Sequence, residues 1–74
     1  MRLIASAETE ADIKKLVEAR FGWEPGECVL EKQVLLTHKN WYDIRRQREG
    51  HKEIAVMFYH VEVKKGCWRF VLIR

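Results

Sequence analysis

The stretch Val61-Glu-Val-Lys-Lys-Gly-Cys-Trp-Arg-Phe-Val-Leu72 constrains this chain more than any other. A turn at Lys65-Gly66 predicts a two-residue hairpin. It sets Val63 opposite Trp68, Val61 opposite Phe70, Tyr59 opposite Leu72 and, on the other face, Glu62 opposite Arg69. A slip of one residue would place Val61 against Arg69 and Glu62 against Trp68. Side chains alternate between faces with a period of two, so only the first register separates apolar pairs from charged ones.

The same test upstream, with a turn at Glu49-Gly50, pairs Arg46 with Glu53, Ile44 with Ala55, and Tyr42 with Met57. The two hairpins then share one apolar face: Tyr42, Ile44, Ala55, Met57, Tyr59, Val61, Val63, Trp68, Phe70 and Leu72. Such a face must be covered, and residues 9–21 supply the cover. Thr9 is placed to cap a helix whose first turn holds Glu10 and Asp12, where the helix dipole favours acids. Ile13, Leu16, Val17 and Phe21 form its apolar stripe, with Lys14, Lys15 and Glu18 on the other side. Gly22 is the expected left-handed stop, after which Trp23 folds back onto Val17. Residues 2–5 read as a first strand, Glu24-Pro25-Gly26-Glu27 as a type II turn, residues 28–37 as a strand and 38–40 as a loop. The expected architecture is α+β: one helix on one face of an antiparallel sheet, in the order β-α-β-β-β-β, forming a single small domain over residues 1–74.

At 74 residues, such a core is near the lower limit of independent stability, so self-association would help it. Two cysteines are too few for the disulfide framework of a small secreted domain. The start MRLIASAE has no apolar run of signal-peptide or membrane-span length. The expected setting is cytoplasmic and away from membranes. The net charge of +3 hides an asymmetry. Residues 1–31 carry four basic and seven acidic side chains, whereas residues 32–74 carry ten basic and four acidic.

The second sheet face then carries Trp41, Asp43, Arg45, Ile54, Val56, Phe58, His60, Glu62, Arg69, Val71 and Ile73. A one-sided antiparallel sheet would alternate to polar residues there. Here an apolar centre of Ile54, Val56, Phe58, Val71 and Ile73 is ringed by Trp41, Arg45, His60 and Arg69. The hairpin tip adds Arg46, Arg48, His51 and Lys52, diluted by Glu49 and Glu53.

An apolar patch rimmed by charge favours a protein partner or a second copy. The alternative is single-stranded nucleic acid, with Trp41 and Phe58 stacking bases and the basic side chains meeting phosphates. The candidate contact residues are Trp41, Arg45, Arg46, Arg48, Lys52, Phe58, His60 and Arg69. A more distant alternative is a small endoribonuclease built on His60, Glu62 and Arg69, against which stands an ordinary Glu62–Arg69 ion pair beside a surface histidine. No catalytic group, metal site or cofactor is assigned. Cys28, Cys67, His38, His51 and His60 lack metal-ligand spacing, and the glycines all have turn or cap explanations.

Overall fold

The computed structural model describes residues 2–33, 40–48, 50 and 54–72. The elements are β1 (Arg2–Ala7), α1 (Glu10–Phe21), β2 (Cys28–Lys32), β3 (Trp41–Arg46), β4 (Ile54–Lys64) and β5 (Cys67–Leu72). The strands form one antiparallel sheet in the order β1-β5-β4-β3-β2. This is the expected α+β arrangement. β1 runs two residues further than the sequence suggested, and β2 stops at Lys32 although Gln33 still donates its N–H to the Trp41 carbonyl at 2.8 Å. The rest of the expected 28–37 strand, and His38-Lys39 of the loop, lie outside the described residues.

The helix ends follow from local chemistry. Thr9 has extended backbone and its Oγ1 accepts from the Asp12 N–H at 3.2 Å. Gly22 adopts φ +71°, and its N–H and that of Trp23 both return to the Glu18 carbonyl. The Trp23 ring stacks on Phe21, with centroids 4.9 Å apart. Ile13 and Val17 are fully buried, but Leu16 is 41% exposed and Glu18 is buried in its place, reversing the expected roles of those two. The cause is the route of the chain after the helix. Glu18 lies beside the start of β2, where its Oε2 accepts the Cys28 N–H at 3.0 Å. The rule that buried polar groups are hydrogen-bonded overrides the hydrophobic stripe here.

α1 packs against β1 and β5 at one side of the sheet and against β2 at the other. Five flat strands would hold their outer members about 19 Å apart at normal strand spacing. A helix of 12 residues is itself about 18 Å long, so lying across the strands it reaches both sides and covers this face of the sheet. Ile13, Val17, Cys28, Ile44, Val61 and Phe70 form the core there. Each large apolar side chain buried in this way contributes about 1.5–3 kcal/mol. Phe21 meets Tyr59 and Phe70 edge-on at 5.3 and 5.6 Å, and Tyr59 stacks on Phe70 at 5.1 Å.

The β4–β5 hairpin has the expected register at every pair, from Val63 and Trp68 to Tyr59 and Leu72. Lys65 and Gly66 both have positive φ, +52° and +76°. This is the type I′ geometry whose twist matches that of the strands. The β3–β4 hairpin departs from expectation. Arg46 pairs with Ile54 and Ile44 with Val56, but Asp43 pairs with His60 and Tyr42 with Val61. Met57, Phe58 and Tyr59 therefore have no β3 partner. An odd number of inserted residues inverts the alternation of faces. Val56 consequently packs against the core together with Tyr59, instead of joining the second face, and Trp41 lies opposite Glu62 instead of Phe58.

Candidate functional site

On the face away from the helix, the register aligns Ser6, Arg69, Glu62 and Trp41 in one row across β1, β5, β4 and β3. The next row holds Val71, His60, Asp43 and Glu31 on β5, β4, β3 and β2. The centre of this face is a polar network. Gln33 Nε2 donates to Asp43 Oδ2, and Asp43 Oδ1 lies 2.7 Å from His60 Nδ1. That second contact is close but poorly aligned for a hydrogen bond. The Trp41 ring meets His60 edge-on at 5.9 Å. Three strands are thus joined where the β3–β4 register breaks. Arg45 Nε sits 2.6 Å from Glu31 Oε2 across β2 and β3.

Among the described residues, the members of the expected apolar centre do not share one exposed patch. Val56 faces the core, Val71 is 5% exposed, and Trp41 is 7% exposed and presents little ring to a ligand. The Ile54 side chain and Ile73 lie outside the described part. Phe58 differs from all of these. It sits within the register break and is 66% exposed, the most exposed large apolar side chain among the described residues.

The basic residues are also placed differently from one another. Arg46 Nη2 donates to Glu27 Oε1 at 3.1 Å, and its guanidinium lies 5.7 Å from the Trp23 ring centre. Arg48 Nε approaches Glu27 Oε2 at 3.3 Å. The Glu24 N–H donates to the same Glu27 carboxylate at 2.6 Å. Arg46 above all, and then this backbone N–H, hold the Glu27 carboxyl below its usual range. Sequence reasoning missed Glu27 because β2 had no assigned neighbour; once Cys28 is paired with Arg46, the carboxylate falls beside the arginines. Lys52 and His51 lie outside the described residues. Arg69 is half-buried opposite Glu62, without an ion pair among the described residues.

His60 therefore has Asp43 as its acidic neighbour, and Glu62 does not take that place. Tyr59 turns to the core, away from His60, as the alternation requires. The Cys28 thiol is pushed up to about 11, first by burial and then by the Glu18 carboxylate, which removes its nucleophilic form near neutral pH. A shallow groove of about 290 Å³ runs between α1 and the 24–27 turn, past Lys14, Lys15, Glu18 and Pro25. The one buried carboxylate in it, Glu18, already serves the Cys28 N–H. Among the described residues no helix is long and apolar enough to cross a membrane. No protein-family model, curated protein or solved structure matches the chain.

Proposed function

We propose that this chain is a small non-enzymatic binding module that recognises protein, either a partner or a second copy, through the surface around Phe58. The observation that carries this reading is a phenyl ring 66% exposed at the break in the β3–β4 register. Bulges re-aim side chains and recur at functional sites. An aromatic ring held out by a rigid sheet is the kind of anchor that dominates protein interfaces. Arg45, His60 and Arg69 form a polar surround on the same sheet. Arg46 and Arg48 lie at the tip, where Glu27 offsets their charge. That offset, together with the Glu31 contact to Arg45 and the burial of Trp41, weakens the electrostatic and stacking terms that single-stranded nucleic acid would need.

The test is an NMR titration of labelled protein with a short mixed-sequence single-stranded RNA at low salt, paired with a dilution series without RNA. The expected result is silence towards RNA and concentration-dependent shifts around Phe58. Shifts at Trp41, Arg45, Phe58 and Arg69 on adding RNA would overturn the reading in favour of a nucleic-acid face.

A further inference from the structure

Leu16 and Phe58 are the exposed large apolar side chains among the described residues. The surface around Phe58 carries the proposal above, and Leu16 belongs to a different one. The apolar periodicity of α1 places Leu16 in the buried stripe, yet it is 41% exposed in the middle of the helix. At 100° of turn per residue, Leu16 lies about 160° round the helix from Glu18, whose carboxylate meets the start of β2. It is therefore on the opposite flank from the groove lined by Lys14, Glu18 and Pro25.

Residues four apart form a ridge along a helix. The ridge on this flank is Asp12, Leu16 and Arg20, and all three are exposed. The next ridge holds Lys15 and Ala19, also exposed, and the small Ala19 side chain leaves a hollow beside Leu16. The charges at the two ends have a local reason, since an acid in the first turn and a base in the last both suit the helix dipole. The same order dictates what can dock here. A fitting surface presents a base, an apolar group and an acid in succession, spaced about 6 Å apart. This ridge turned end for end is such a surface. Neither Asp12 nor Arg20 has a side-chain ion pair among the described residues, whereas Lys14 is held by Glu10 at 3.4 Å.

From this self-complementary ridge we infer that a second copy of the chain docks on the Asp12–Leu16–Arg20 flank of α1, helix against antiparallel helix, about a two-fold axis at Leu16. Leu16 of each copy enters the hollow over Ala19 of the other. Asp12 meets Arg20 of the second copy, and Arg20 meets its Asp12, so the contact is isologous and closes on itself. Ridges of this kind, packed one into the other, make the commonest helix contact in globular proteins. One helix flank buries less than the roughly 1,200 Å² of a standard interface, so the dimer is a weak one. The inference goes beyond the protein-binding reading above and shares no residue with it.

Sedimentation from micromolar to millimolar protein tests this. Leu16→Lys should give monomers. Asp12→Lys and Arg20→Glu should each weaken self-association about tenfold, because each turns both attractive pairs into repulsive ones. A one-to-one mixture of these two variants should associate again, since every charge on the ridge then faces its opposite on the other chain. A charge that acted only within its own helix could not be rescued by a second chain, and rescue also shows that both variants are folded. A wild type that stays monomeric at millimolar concentration overturns the inference. So does a mixture that associates no better than its two components. If Phe58→Asp dissociates a dimer that Leu16→Lys leaves intact, the protein-binding reading survives and the helix contact is wrong.

Discussion

The two hairpins that share β4 follow different rules. Between β4 and β5, a two-residue turn with positive φ at both positions locks the strands, and every pair falls where apolar and charged residues sort best. Between β3 and β4, residues 47–53 connect the strands, and three residues of β4 are left out of the pairing. A tight turn fixes register by geometry, whereas a longer connection leaves register to the side chains. Here the side chains choose a compromise. Val56 and Val61 both reach the core beneath the helix, and Phe58 is left in solvent. The regular hairpin is buried against the helix, and the irregular one carries the exposed ring on which the proposed function rests.

The hardest blow to this contrast is Phe70→Ala. It empties the centre of the β4–β5 hairpin and the aromatic contacts to Phe21 and Tyr59, at a cost of about 3–5 kcal/mol. A domain of this size should lose most of its cooperative melting transition, and an unchanged melt would mean that the regular hairpin does not carry the core. Next is Asp43→Ala, which strips Gln33 and His60 of their common partner and should cost about 1–3 kcal/mol. Its mark is local: amides of Ile44 and Val56 should exchange faster while those of Glu62 and Arg69, which face each other between β4 and β5, do not. Equal acceleration in both hairpins would show that they unfold as one.

Lys65→Asn should sharpen the contrast from the other side. Asparagine tolerates the positive φ better than lysine and should add about 0.5 kcal/mol of stability, read by chemical denaturation, without moving the register. The smallest effect concerns acid. Arg46 and the Glu24 N–H favour the ionised form of Glu27, so its folded pKa lies below the ordinary 4.5. The unfolded state therefore binds the proton first. This contribution is complete above about pH 4.5, the unfolded value, and is lost as pH falls through the folded one. Glu27→Gln should flatten that acid limb of stability against pH, and a limb of unchanged slope would remove Glu27 from it.

How much of this was legible in the sequence depends on how local the determinant is. The Thr9 cap, the Gly22 stop and the Lys65-Gly66 turn are decided within a few residues, and each was readable. Glu18 and Leu16 were misassigned because helical periodicity contains no information about β2, whose first amide takes the Glu18 carboxylate. The β3–β4 register failed for a related reason. Pairing rules assume unbroken alternation, and a three-residue insertion pays no visible penalty in a segment that is apolar on both parities. Of the candidate contacts, Phe58 was found as an exposed aromatic, but the pairing of Arg46 and Arg48 with Glu27 needed the missing β2–β3 neighbour.

The strand order has a consequence for how the molecule assembles. β1 takes its place beside β5, so Arg2 must meet Leu72. Closing that span costs about 2 kcal/mol more in chain entropy than closing the 47–53 loop, which is roughly a tenth as long. The helix, β2 and the two hairpins all rely on nearer neighbours and should form before it. On a ribosome β1 is made before the other strands of this sheet, yet it should be the last of them to find its partner. Until β5 emerges, the edge that β1 will cover has yet to exist.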